Sequence, residues 1–204
     1  MAEHVAYGLW MAFVASWYAA ALWAGRTKSR APLWTRVTYA AGFSVGFGLL
    51  FTPVSGHPVL GPLHMGFQDL VPAGWAVPLW SSPPLLGWAA VAVEAAGFAL
   101  AWWGRIHLGK LWSGLSTVRE DHRVVASGPY RLSRHPIYAG VVASAWALAA
   151  TAGAPGAVAG ALVLTLVVWL KAREEESFLR RELGRAAYDG YAARTPMWAP
   201  FTRA

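Results

Sequence analysis

The stretch from Ser127 to Gly140, SGPYRLSRHPIYAG, places Tyr130, Arg131, Arg134, His135 and Tyr138 at a border between polar and apolar sequence. Pro136 suits the first turn of a helix, where its missing N–H costs nothing. His135 then stands at a helix entrance, among unpaired N–H groups that favour an anion. Further along, Glu175 has Leu179 and Leu183 four and eight residues on, which aims its carboxylate at the apolar side of a helix. A carboxylate there needs a partner. Lys171, one turn earlier, is one candidate, and a bound cationic ligand is the other. Glu176, with Arg180 four residues on, reads as a solvated ion pair along the helix. Glu94 interrupts a long apolar run, where a charge is expensive; it is either an acid bonded within the protein or a functional group. The opening stretch also has a plainer reading as an interfacial belt, with its tyrosines at headgroup level and Arg131 and Arg134 on lipid phosphates.

The elements that must hold these residues follow from hydropathy and charge. The chain has 204 residues, 56% hydrophobic and only 13% charged, with 13 tryptophans and no cysteine. Its mean hydropathy is +0.38. Without cysteine, neither a disulfide nor a thiolate metal site can form. Residues 5–24 are uncharged and long enough for one transmembrane helix, expected to stay as an anchor rather than be cleaved. Further spans are expected at 37–56 and 85–103, the latter with Glu94 at its middle. Residues 137–170 form 34 consecutive uncharged positions, too many for one span, and Pro155 with its glycines breaks them into a hairpin of two short helices. The expected fold class is therefore all-α: a polytopic membrane protein of five spans.

All seventeen Lys and Arg fall in three segments, 25–36, 104–136 and 171–204. That alternation puts the three segments in the cytosol and the N-terminus outside. The net charge of +7 is thus a topology signal, and nucleic acid is not expected as a partner. The Pro- and Gly-rich loop 57–84, with His57, His64 and Asp69, reads as an outer cap held by Trp and Pro rather than a metal site. No metal is expected.

The segment HRVVASGPYRLSRHPIYAG, an apolar hairpin, and then EESFLRRELGRAAYDGYAARTP resembles the isoprenylcysteine carboxyl methyltransferase and phospholipid methyltransferase superfamily. Its pattern is met at His122, Val124, Val125, Gly128, Pro129, Tyr130, Arg134, His135, Pro136, Tyr138 and Gly140. The second part is met at Glu175, Glu176, Leu179, Leu183, Gly184, Tyr188, Tyr191 and Pro196. Val124 and Leu183 replace the usual Leu and Phe. The resemblance covers roughly residues 100–200. It implies one membrane methyltransferase domain over 1–204, with N-terminal spans in 1–100 and a cofactor-binding part in 101–204. S-adenosylmethionine is the implied cofactor, bound on the cytosolic side between the two polar segments and the last two helices, and a C-terminal amphipathic helix is expected as well. His122, Arg123, Val124, Val125 and Tyr130 would line the adenosine. His135, Pro136 and Tyr138 would hold the methionine end, and Glu175 its ammonium. Arg105 and Lys171 are the implied substrate contacts. Arg105 is also a candidate catalytic group, as is Glu94, the latter because its charge lies within a span and not from the resemblance.

The acceptor is expected to be a membrane lipid or small lipophilic molecule, methylated on an amine, carboxylate or thiol, with no obligate protein partner. The Ala, Gly, Arg and Pro usage hints at a prokaryote, hence at a cytoplasmic membrane. The small residues AAVAVEAAGFALA in the third span offer a lateral gap through which a lipophilic acceptor would enter. Two other readings share part of these features. Membrane steroid-type reductases using NADPH carry a related Arg-His-Pro motif, with Asn where this chain has Ile137. A non-enzymatic lipid-binding membrane protein is the other.

Overall fold

The computed structural model describes residues 1–21, 32–53, 71–109, 112 and 124–198. The described residues are helical, with no strand among them. The long helices are α1 (Ala2–Ala21), α2 (Leu33–Leu50), α3 (Pro84–Leu108), α4 (Pro136–Ala152) and α5 (Pro155–Leu183). A short α6 (Arg185–Ala192) follows. Helices α3, α4 and α5 all begin with proline, which fixes the first turn and forfeits no hydrogen bond. Helix α4 ends at Gly153 with φ +67°, a left-handed cap that glycine adopts without strain. Helix α5 is longer than the short second arm the sequence suggested, because it runs on through the charged segment to Leu183.

Contacts between helices fix their directions. Ala2 lies beside Gly87, Phe13 stacks on Phe98 at 4.3 Å, and Arg105 donates to the Ala20 carbonyl at 2.8 Å. Residues of α1 therefore meet residues of α3 at a nearly constant offset, so these helices run parallel. Gly97 meets Gly140 and Ser144 while Gly104 meets Ile137, so α4 runs antiparallel to α3. Gly42 and Gly46 meet Val167 and Leu164, so α2 and α5 are antiparallel as well. The five long helices alternate in direction along the chain.

Small residues make the closest of these contacts. A side chain built on Gly140 would strike the Gly97 carbonyl, so the two backbones touch. Close approach of this kind is how helices associate where solvent offers no hydrophobic push. Gly97 is a packing residue against α4, while Ala95 faces outward. Elsewhere the core is aromatic: Trp10 is fully buried and meets Phe98 at 4.8 Å and Phe47 at 5.5 Å, edge to face. Such pairs contribute about 0.5–1.5 kcal/mol each beyond the area they bury.

Two helices, α3 and α5, are long and apolar enough to cross a membrane, and α4 is a shorter apolar helix. The outward face of α3 carries Leu85, Leu86, Trp88, Val93 and Ile106, all exposed. A helix apolar on both its buried and its open face suits lipid better than water. At the end of the bundle away from the charged segments, residues 71–83 cover the α4–α5 turn. Leu79 N–H bonds the Gly153 carbonyl at 2.8 Å, and the Trp80 indole and Ser82 hydroxyl both donate to the Ala150 carbonyl. His57, His64 and Asp69 lie outside the described residues.

Candidate functional site

The end of the bundle opposite that cap carries the motif residues. Gly128–Arg131 forms a 3₁₀ turn, and α4 starts five residues later at Pro136. Gly128 has φ +56°, and any side chain there would run into the His107 ring, so the turn needs glycine twice over. His107 itself shares a hydrogen bond with the Ser127 hydroxyl at 2.9 Å and lies over Tyr130. Tyr130 is buried, which pushes its phenol up from its ordinary range, and its hydroxyl reaches the Gly104 carbonyl at 3.5 Å.

Two of the three successive glutamates on the charged extension of α5 reach across to the α4 entrance. Glu175 accepts from the Tyr138 hydroxyl at 2.9 Å. Glu176 accepts from Arg134 Nε at 2.8 Å, shares a 3.2 Å hydrogen bond with His135 Nε2, and lies 3.5 Å from the Arg180 guanidinium. Burial alone would raise the Glu176 carboxyl, but the His135 hydrogen bond and the Arg134 charge outweigh it and hold the group at about 2.

These contacts overturn the sequence reading of the two carboxylates. Glu176 is buried at 4% exposure and anchors a network, whereas Glu175 is only half-buried. The spacing to Leu179 and Leu183 misled because neither leucine is buried; the helix turns Lys171, Ala172 and Glu176 inward instead. The anion expected at the α4 entrance is the protein's own Glu176, which occupies His135 Nε2.

Arg134 was the residue the sequence reading undervalued. Besides Glu176, its Nη1 donates to the carbonyls of Ala192 and Thr195, both at 2.9 Å. Its backbone N–H bonds the Pro196 carbonyl, and the His135 N–H bonds that of Met197. One side chain thus closes the C-terminal segment over the start of α4. Tyr191 seals the same joint by donating to the Tyr130 carbonyl at 2.7 Å, and burial pushes its phenol up to about 12. Tyr188 and Tyr191, three apart on α6, are both buried, and that spacing was the available signal.

The structure gathers Tyr130, His135, Pro136, Tyr138, Lys171 and Glu175 at this end, with Val124 and Val125 half-buried beside the turn. His122 and Arg123 lie outside the described residues. Arg105 borders the site, one residue beyond the Gly104 that Tyr130 contacts. Its guanidinium stacks 3.3 Å over Trp112, lies 5.5 Å from the Trp17 ring and donates to the last turn of α1. Glu94 is not brought to the site. It is fully buried in the middle of α3, eleven residues before Arg105, or about 16 Å along the helix.

Lys171 and Glu175 stand one helical turn apart with opposite charges. Among the described residues neither makes an ion pair. Lys171 is 9% exposed with its ammonium 5.4 Å from the Tyr39 ring. Two opposite charges left apart in a part-buried site suit a ligand carrying both signs.

No curated protein matches the chain. The phospholipid methyltransferase family model matches residues 85–186, a region running from α3 to the start of α6 and containing the 3₁₀ turn, the α4 entrance and the glutamate run. The chain belongs to the phospholipid methyltransferase family, a family of membrane methyltransferases.

Proposed function

We propose that the chain moves a methyl group from S-adenosylmethionine to a lipophilic acceptor at the charged end of a five-span bundle. The observation that carries this reading is the unpaired Lys171–Glu175 couple beside Tyr138. The methionine end of the donor is a zwitterion. Its ammonium fits Glu175, whose neighbour Glu176 is already neutralised, and its carboxylate fits Lys171. Val124, Val125 and Tyr130 offer apolar and aromatic surface for the adenosine. When bound, S-adenosylmethionine supplies an electrophilic methyl on a sulfonium sulfur.

The chain's own residues do the rest. Arg134 and Tyr191 clamp the C-terminal segment over the site, which limits water and fixes the angle between α4 and α5. Tyr138, locked between His135 and Glu175, orients the carboxylate. Arg105 acts as a positioning residue that ties α1 to the site border. An acceptor amine, carboxylate or thiol delivers its own lone pair, and a base is needed only where that atom arrives protonated.

The alternating directions of α1 to α5 support five spans, since each helix returns the chain to the opposite end. With all Lys and Arg in three segments, the charged end faces the cytosol and the N-terminus lies outside, in a cytoplasmic membrane. A C-terminal amphipathic helix then covers the cytosolic face.

Thermal unfolding of the purified chain in detergent tests the donor. S-adenosylmethionine should raise the midpoint saturably, and NADPH should leave it unchanged. Stabilisation by NADPH alone would contradict the reading.

A further inference from the structure

Deep in the bundle, away from the methyl-donor site, four polar atoms are buried without a hydrogen-bond partner among the described residues. They are the Tyr7 hydroxyl, the Trp10 indole N–H and both carboxyl oxygens of Glu94. The three residues are exposed by 4%, 0% and 0%. Leaving such groups unmatched costs about 1–3 kcal/mol each, so their grouping calls for an explanation.

Their grouping follows from register. Ala2 faces Gly87, Phe13 faces Phe98 and Ala20 faces Arg105, so the level of Glu94 on α3 falls between Tyr7 and Trp10 on α1. Glu94 shares its buried stripe with Val91, Phe98, Ala101 and Arg105. Phe98, one turn on, touches Trp10 at 4.8 Å. Around them stand Phe13, Phe47 and Phe51.

We propose that Tyr7, Trp10 and Glu94 form a second ligand site inside the bundle, which takes the hydroxyl group of an uncharged lipophilic alcohol. The chemistry of the three groups selects that class. An indole N–H and a phenol O–H need an acceptor, and an uncharged carboxyl group needs one acceptor and one donor. One hydroxyl supplies both. An ammonium would satisfy Glu94 but leave the indole N–H without an acceptor. Among the described residues neither Glu94 oxygen meets a cation, and a carboxyl group in such surroundings is far less costly to bury uncharged than charged. The aromatic walls match an alkyl or isoprenoid tail.

The test is photolabelling of the full chain in detergent with a diazirine-bearing fatty alcohol, in the absence of S-adenosylmethionine. Labels should map to the inward residues of α1 and α3 between Tyr7 and Phe98. Excess tetradecanol should compete, while tetradecane and tetradecyltrimethylammonium should not. Trp10→Phe and Glu94→Leu should each weaken competition about tenfold. Glu94→Gln, which keeps a donor and an acceptor, should stay within about threefold. Tyr7→Phe provides a second loss of one donor should Trp10→Phe fail to fold. Competition by tetradecane, labels confined to outward residues such as Val93, or unchanged competition in the variants would overturn the proposal. So would stronger competition by the ammonium with loss of binding in Glu94→Gln, which would mark a cation site. Because no methyl donor is present, the result is independent of the transfer reaction.

Discussion

Glu176 and Glu94 are both buried carboxylates on long helices, yet their surroundings are opposite. At the charged end Glu176 meets Arg134, His135 and Arg180, and it joins α5 to α4 and the C-terminal segment. In the bundle interior neither carboxyl oxygen of Glu94 has a hydrogen-bond partner among the described residues, while the Ser144 hydroxyl donates to its backbone carbonyl. Burial by itself therefore does not separate a structural acid from one awaiting a ligand; the partners do. The same comparison, one residue along, separates Glu176 from Glu175. Because Arg134 and Arg180 go to Glu176, Glu175 is left with the Tyr138 hydroxyl and no ion pair among the described residues.

The largest effect expected from this contrast is at Arg134. Arg134→Met should strip Glu176 of its strongest partner and release the carbonyls of Ala192 and Thr195. Removing one member of a buried pair costs about 3–5 kcal/mol, and Arg134 is shielded enough for that range to apply. The unfolding midpoint reads the loss directly. A shift no larger than that of a surface arginine such as Arg181 would show that the network is dispensable.

A smaller loss is expected from separating the helices. Gly140→Val would push against the Gly97 backbone and should cost about 1–3 kcal/mol, with Ala143→Val, on a less crowded face, as the control. Equal midpoints for the two variants would argue against the close α3–α4 contact.

The acid side of the stability profile gives a third test. Glu176 is held at about 2, below its ordinary 4.5, so it binds its proton less readily when folded. Its contribution is therefore present above pH 4.5 and fades as pH falls toward 2. Glu176→Gln should flatten the unfolding midpoint over that window. The smallest effect is Tyr138→Phe, which removes one hydrogen bond to Glu175 and should cost about 1 kcal/mol at most.

Much of this architecture was legible in the sequence, for physical reasons specific to each element. Pro136 reads as a helix start because proline forfeits nothing there, and Pro155 as a break in the apolar run; α4 does begin at Pro136 and α5 at Pro155. The Arg-His-Pro border and the glutamate run were found because charge next to a long apolar run is conspicuous. What stayed hidden was which glutamate turns inward. Leu179 and Leu183 suggested one face, but past Leu170 helix α5 leaves the bundle core and packs on the α4 entrance. Apolar spacing no longer reports burial there; ion pairing across a distance of about forty residues does, and no local pattern reveals it. The Tyr7–Trp10–Glu94 grouping was equally out of reach, since it depends on the parallel register of two helices far apart in the chain.

The central claim is that Glu175 and Lys171 hold the two charges of the methyl donor while Glu176 holds the fold. Isothermal titration of S-adenosylmethionine into Glu175→Gln, Lys171→Met and Glu176→Gln, each paired with its unfolding midpoint, tests this most directly. Glu175→Gln should weaken binding roughly ten- to a hundredfold with the midpoint nearly unchanged. Lys171→Met should behave alike, and Glu176→Gln should lower the midpoint first. Full affinity in Glu175→Gln, or a loss of affinity that tracks stability equally in all three variants, would contradict the account.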